Sequence, residues 1–369
     1  MRPHVDQRQA QVLALVRARG SVRVADLARE LGISPVTLRR DIEAMAARGE
    51  IRRMHGVISR VEAGRAQAVL PAGAAGPSAA GGPAGSAAGL VVGMVVPTTE
   101  YYYADVVRGA REAVEARGAR LTVGLTRYLP GEDRTQADRL VSTGAHGLLL
   151  TPNWEAGAPA AGEGAWTAEF PVPTVLVERW APPGHPAAAL DRVASDHAHG
   201  AARAVQHLVG LGHRRIALAS RETPTTARLR AGYEAAVAAL GLQPAPPWPP
   251  AGPGVTPEAE LFARTLDYLC DAVTTGGVTA ALIHSDTDAI MLIPRLTARG
   301  VRVPEDLAVI TYDDEVAGMA DVPLSAVAPA KHEVGTRAAG LLLDRLAAAD
   351  PQDGTRQHLE LLPRLTIRT

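Results

Sequence analysis

The stretch Val24–His55, reading VADLARELGISPVTLRRDIEAMAARGEIRRMH, constrains this chain more than any other. Leu27, Ala28 and Leu31 share one face of a short helix, and Gly32 stands where such a helix stops. Ser34 is a good N-cap and Pro35 suits a first helical position, so a second helix is predicted to start there. Along it Leu38, Ile42 and Met45 form an apolar stripe, from which Val36, Thr37, Arg39 and Arg40 point away. After Gly49 the run IRRMHGVISRV reads as a two-stranded hairpin turning at His55-Gly56. A helix with a small polar start and two outward arginines suits the major groove of DNA. Ser34, Val36, Thr37 and Arg40 are placed to approach base edges; Arg39, Arg52, Arg53 and His55 are placed for phosphate or minor groove. The bland alternative is a small helical domain with a solvated arginine face. Turn, cap, stripe and basic hairpin coincide, and that argues against it.

Charge and composition divide the chain beyond this stretch. Residues 1–65 hold 13 Arg against 7 Asp or Glu, a net +6, whereas the whole chain is −1, leaving −7 for the rest. A basic head on a body that repels DNA fits that asymmetry. From Pro71 to Ala88 every residue is Ala, Gly, Pro or Ser, a composition that cannot bury apolar surface. These eighteen residues are expected to span about 20–25 Å as a flexible coil. The expected organisation is a DNA-binding domain at 1–62, all-α with a small wing, a linker at 63–88, and a body at 89–369.

In the body, apolar strands alternate with helices, which predicts an α/β fold with parallel sheets covered on both faces. Strands are expected at 90–96, 120–125, 147–150, 174–177, 215–219, 280–284 and 307–311. Helices are expected at 104–117, 132–143, 197–210, 226–240, 258–274, 287–299 and 332–347. Ligands of such sheets bind beyond the carboxyl ends of the strands. Those ends carry Tyr101, Tyr102 and Tyr103, then Asn153 and Trp154, Glu178 to Trp180, Asp196, Arg221 and Glu222, Asp286, and Asp313 with Asp314. Five of the thirteen aromatic residues sit in these few loops. Rings that stack beside carboxylates and arginines suit a polyhydroxylated ligand such as a sugar. At least one of the three tyrosines should be packing, Glu178-Arg179 could form a local salt bridge, and Asp313-Asp314 could cap a following helix.

Residues 6–60 resemble the DeoR-type winged helix-turn-helix, on Val24, Leu27, Ala28, Leu31, Ile33, Ser34, Thr37 to Asp41, Gly49, Ile51, Arg53, His55 and Gly56. Val57 departs from the second glycine of that pattern. Residues 89–369 resemble the LacI/GalR-type sensor, built like periplasmic sugar-binding proteins. The marks are HLVGLGHRRIALAS through RLRAGY, SDTDA, GVRVPEDLAVITYDD and the final LLPRLTIR. The resemblance implies two α/β lobes joined by three crossovers, near Ala194, Asp313 and Val327. Lobe one is then 89–193 with 314–327, and lobe two is 194–313 with 328–369. It implies Asp286 as a holder of ligand hydroxyls, with Ser285 in place of the usual asparagine. It also implies a ligand-binding arginine three residues before the Gly-Tyr pair, where this chain departs with Leu229, flanked by Arg228 and Arg230. The expected ligand residues are Tyr102, Tyr103, Trp154, Arg179, Asp196, Arg228, Arg230, Asp286 and Asp313. The resemblance also implies a homodimer, a double-stranded DNA operator and a small-molecule effector, expected to be a carbohydrate.

No G-x-x-x-x-G-K-[ST], G-x-S-x-G, H-E-x-x-H or G-x-G-x-x-G occurs, so neither an enzyme nor a cofactor is expected. His197 and His199 lie two apart on a predicted helix and make a poor metal pair. The lone Cys270 fits a reducing cytoplasm, and no apolar run is long enough for a membrane span. The expected function is a cytoplasmic, ligand-responsive transcriptional regulator acting as a repressor. The rival readings are a solute-binding receptor and a DNA-binding protein whose sensor pocket has decayed.

Overall fold

The computed structural model describes residues 87–248, 258–348 and 354–368, together with Val12 and the backbone of three short strands nearer the N-terminus. The chain separates into two compact units, residues 1–80 and 81–369. In the first, β1 (Ser21–Arg23), β2 (Ile51–Met54) and β3 (Val57–Arg60) form an antiparallel sheet in the order β1-β3-β2. Met54 pairs with Val57, so the expected hairpin is present, with two residues between its strands. Strand β1 is an addition that three residues of sequence carry no periodicity to announce. Ser34, Val36, Thr37, Arg39, Arg40, His55 and residues 63–86 lie outside the described residues; of Arg52 and Arg53 only the backbone is described.

Among the described residues, the second unit holds two sheets. The first has the order β13-β8-β7-β6-β4-β5, all parallel: β4 (Val91–Val96), β5 (Arg120–Leu125), β6 (Gly147–Leu150), β7 (Thr174–Val177), β8 (Asp191–Ser195) and β13 (His358–Leu361). The second has the order β14-β12-β11-β10-β9: β9 (Ile216–Ser220), β10 (Ala280–His284), β11 (Ala308–Tyr312), β12 (Ser325–Ala328) and an antiparallel edge, β14 (Arg364–Thr366). Central strands such as GLLL and TVLV are buried at every position, as parallel strands covered on both faces must be.

Helices cover both faces of each sheet. In lobe one, α1 (Tyr102–Ala116) packs on one face and α2 (Glu132–Ser142) on the other. In lobe two, α3 (His197–Gly210) and α4 (Thr226–Ala239) cover one face. The other is covered by α5 (Glu258–Thr274) and α6 (Asp286–Ala298). The remaining helix, α7 (Lys331–Leu346), lies on lobe one, where Val334, Ala338 and Leu342 join Val106, Ala110 and Val114 in one core. Helices α1 and α7 cross at Gly109 and Gly335. A Cβ on Gly335 would lie 1.9 Å from the Val106 carbonyl oxygen, so only glycine permits this approach.

The expected lobe boundaries need correction. Strand β12 pairs with β11, Ile310 opposite Ser325, and so belongs to lobe two. Helix α7 and strand β13 belong to lobe one, and only β14 returns to lobe two. The crossovers therefore fall near Asp196, Pro329 and Pro363. The expected assignment of 314–327 to lobe one fails because backbone pairing and the apolar face of α7 decide membership. Behind the first crossover, fully buried Asp191 pairs with Arg345 of α7 and accepts the backbone N–H of Gln357 at 2.7 Å. That carboxylate ties β8, α7 and the approach to β13 together.

Candidate functional site

Between the lobes lies a cavity of about 150 Å³. Lobe one lines it with Tyr101, Tyr102 and Tyr103 after β4, Tyr128 after β5, Glu178 to Trp180 after β7, Ser195, and Glu360. Lobe two contributes His197, Thr223 to Thr225, Arg228, His284 and Asp313. Nearly all follow strand carboxyl ends or open helices, the position that parallel sheets reserve for ligands.

Glu178 is the centre of lobe one's wall. Its carboxylate accepts from the Tyr102 hydroxyl at 2.6 Å, the Ser195 hydroxyl at 2.9 Å and the Ser195 backbone N–H at 3.1 Å, and His197 lies at 3.5 Å. Burial alone would raise its pKa. His197, Tyr102 and the Ser195 amide outweigh that and hold it below the ordinary value. The same burial and the same carboxylate push the Tyr102 phenol well above its usual range.

Arg179 is almost fully buried beside it. Its Nε donates to the Pro152 carbonyl at 2.7 Å, and its Nη1 donates to the Tyr103 hydroxyl and the Glu178 backbone carbonyl. Glu178 and Arg179 therefore form no side-chain pair, because Glu178 turns to Ser195 and Tyr102. Two donors of this wall, Arg179 Nη2 and Trp180 Nε1, are buried without a hydrogen-bond partner. Above the Trp180 ring, the Arg228 guanidinium stands 4.8 Å from the centroid and 3.6 Å from Glu360.

Lobe two's wall is built differently. Asp313 is buried, and its pKa rises to about 6, first through burial and then through Asp286 and Glu315, against Lys331 and His197. His284 lies 3.8 Å from it but is no ionic partner: burial, with His197 and Arg221, depresses His284 to about 3 and keeps it neutral. The His284 ring meets the Ser220 hydroxyl at 3.0 Å, and His197 meets the Tyr312 hydroxyl at 2.9 Å. Tyr101, Glu178 and Asp313 have φ of 49°, 54° and 68°, where side chains are rarely found. Such conformations concentrate at functional sites.

Among the expected ligand residues, Tyr102, Tyr103, Arg179, Arg228 and Asp313 line this cavity. Tyr103 does so from the core, the packing tyrosine of the three. Four expected residues are placed elsewhere. Trp154 is fully buried among Leu176, Ala181 and Ala187, an anchor of the lobe-one loops. Asp196 caps α3, accepting the His199 N–H at 2.9 Å. Arg230 lies on the surface, paired with Glu222 at 2.9 Å, so of the two arginines only Arg228 lines the cavity. Asp286 is fully buried, and its Oδ2 accepts the backbone N–H groups of Glu315, Val316 and Ala317. Asp314 caps nothing and pairs with Arg368 at 2.7 Å.

His197, His284, Tyr128, Ser195 and Glu360 line the cavity without having been singled out as ligand residues. The position of His284 at the end of β10 was the available signal. Glu360 had none, since it comes from HLEL, an edge strand whose four alternating residues are too few to announce it. Among the described residues no cluster of His, Cys, Asp and Glu is arranged to hold a metal ion, and no helix is long and apolar enough to cross a membrane.

Residues 8–63 match the DeoR-like helix-turn-helix domain. Residues 89–249 match the periplasmic binding proteins and sugar binding domain of the LacI family, and residues 205–369 the periplasmic binding protein-like domain. The HTH-type transcriptional repressor PurR of Haemophilus influenzae (strain PittEE) is 28% identical over 287 residues, 75% of this chain and 80% of its own. The repressor CytR of Escherichia coli (strain K12) is 26% identical over 258 residues, covering 69% and 72%. In fold, the regulator CelR in complex with cellobiose superposes with a TM-score of 0.61 at 22% identity, covering 100% of this chain and 99% of that one. CcpA of Lactococcus lactis gives 0.59 at 18% identity, covering 76% and 98%.

The chain is thus a DNA-binding transcription regulator with a two-lobed sensor. More particularly, it joins a DeoR-like helix-turn-helix domain to a periplasmic-binding-protein-like domain of the LacI type.

Proposed function

We propose that this regulator is a cytoplasmic repressor, acting as a homodimer, that takes a small polyhydroxylated metabolite of the carbohydrate class between its lobes. Binding there changes its affinity for an operator. The observation that carries the effector reading is the pair of buried donors, Arg179 Nη2 and Trp180 Nε1, without partners on residues that line the inter-lobe cavity. Leaving such groups unpaired is costly, and a ligand offering acceptor oxygens would pair them. Aromatic rings and the carboxylates of Glu178 and Asp313 supply the stacking and acceptor surface that hydroxyl groups need. The volume suits a single ring more than an extended chain.

On the DNA side, Ser34, Val36, Thr37 and Arg40 approach bases, while Arg39, Arg52, Arg53 and His55 approach phosphate or minor groove. Through the Pro71–Ala88 segment the effector acts on the spacing or mutual contact of two heads.

The test is a thermal-shift screen of the full chain against sugars, sugar acids, polyols and nucleosides. A ligand at 100 times its dissociation constant adds about 2.7 kcal/mol. The expected result is a stabilising polyhydroxylated ligand whose effect disappears in Arg179→Ala and which alters operator retention in a gel assay. A folded protein that responds to nothing in the panel defeats the effector reading. Arg40→Ala is expected to cost about 1–3 kcal/mol on the cognate operator, and an equal loss on unrelated DNA would assign it to phosphate.

A further inference from the structure

Tyr101 leaves β4 on lobe one with φ 49° and ψ −124°, and opens α1 without using its side chain as a cap. What that backbone achieves is reach. The phenol crosses the cleft and donates to Asp286 Oδ1, at the start of α6 on lobe two. Asp286 is otherwise saturated from within its own lobe: Oδ1 takes the Thr287 N–H at 2.7 Å, and Oδ2 takes those of Glu315, Val316 and Ala317 at 2.8, 2.7 and 3.1 Å.

The turn at 315–317 is gripped a second time. Glu315 pairs with Lys331, the first residue of α7 on lobe one. Lys331 Nζ also stands 5.3 Å from the centroid of the Tyr102 ring, next to Tyr101 in the chain. Contacts therefore run in a closed circuit, from Tyr101 to Asp286, to Glu315, to Lys331 and back to Tyr102, crossing between the lobes twice. Tyr101 lines the cavity whereas Asp286 does not, so the phenol stands between them.

We propose that the Tyr101 hydroxyl is a built-in latch: it holds the lobes together through Asp286 and screens that carboxylate from the cavity. Resting on the effector reading above, the latch makes Tyr101 a specificity-determining residue, because ligand hydroxyls are then read by the Glu178–Trp180 wall and not by Asp286. A carboxylate acceptor makes this among the stronger hydrogen bonds available to a phenol, and its loss shifts a two-state closure by roughly tenfold or more.

The test uses the full chain with Cys270→Ser and dyes at Asp138→Cys and Glu234→Cys, two exposed sites on opposite lobes. Single-molecule energy transfer then reads lobe separation. Tyr101→Phe keeps the ring and is expected to move the closed-to-open ratio by about tenfold toward open. Lys331→Gln, which cuts the other side of the circuit, moves it the same way. An unchanged distribution in a natively melting Tyr101→Phe overturns the latch, whatever ligands bind. Opening in Tyr101→Phe with no ligand response in either protein supports the latch and defeats the effector reading alone. A panel sugar that closes Tyr101→Phe as tightly as the parent, with no difference beforehand, defeats the latch and leaves the effector reading intact.

Discussion

Glu178 and Asp313 face one cavity from opposite lobes, both buried carboxylates on residues of positive φ, yet their acidities move in opposite directions. Glu178 receives three hydrogen bonds and a histidine, and is held as an anion. Asp313 is desolvated beside Asp286 and Glu315, and is pushed toward its neutral form. The difference is one of supply. Glu178 draws donors from Tyr102 and Ser195 of its own lobe and is faced by His197 of lobe two, whereas lobe two spends its backbone donors on Asp286 and leaves Asp313 short. Lobe one is the pre-organised wall, and lobe two is the one whose charge state is open to change.

The largest expected effect attacks that pre-organisation from behind. Asp191→Ala leaves Arg345 buried beside the first crossover and should cost about 3–5 kcal/mol in urea unfolding. A loss below 1 kcal/mol would mean that lobe one does not depend on this tie.

Asp313→Asn should act in the opposite direction. An acid raised from 3.8 to about 6 on folding binds its extra proton between those values, so its stabilising contribution is full below the window and falls as pH rises through it. Removing the charge should make the variant more stable than the parent by roughly 3 kcal/mol above pH 7, with the gain shrinking to nothing in acid. Comparison with the parent is essential. His284, depressed to about 3, contributes the reverse slope as its unfolded form takes up a proton below its ordinary pKa. A constant difference between Asp313→Asn and parent from pH 4 to 8 would erase the contrast between the lobes.

Glu178→Gln should cost about 1–3 kcal/mol at neutral pH, since Tyr102 and Ser195 lose a charged acceptor. Its pKa is lowered on folding, so the loss should vanish as pH falls through the folded value, the mirror image of Asp313. The smallest effect belongs to the rim. Arg228→Ala removes the guanidinium over Trp180 and should cost about 0.5–2 kcal/mol, seen best as faster release of any ligand held in the cleft. Unaltered release would confine Arg228 to surface packing.

Much of this arrangement was legible beforehand. The strands GLLL and TVLV announce themselves because burial on both faces demands continuous apolar runs, and His197–Gly210 and Glu258–Thr274 carry the helical period. Strands β8, β12, β13 and β14 were not expected: β13 and β14 are short, half-exposed edge strands, while β8 (DRVAS) and β12 (SAVA) are buried but short and begin on polar residues. Their silence misplaced the lobe boundaries, because β12 and α7 change lobes through pairing and packing with segments far away in the chain. Among the site residues, the ends of strands pointed to Tyr102, Arg179 and Asp313, which line the cavity. The same rule named Asp196 and Asp286, whose acceptors are taken by nearby backbone N–H groups. Position after a strand says which residues can reach a cleft. It does not say which are already satisfied.

By itself the sequence determined that a basic head and a body form separate units, since charge asymmetry and a run of Ala, Gly, Pro and Ser are local chemistry. It also determined the alternating α/β character of the body, because hydrophobic period is a property of neighbours in the chain. Only the tertiary structure decided the lobe to which α7 belongs, which of Arg228 and Arg230 lines the cavity, and that Asp286 is closed off by Tyr101. Those outcomes depend on desolvation and on competition for hydrogen-bond partners between residues up to 185 positions apart, and no local pattern encodes which partner wins.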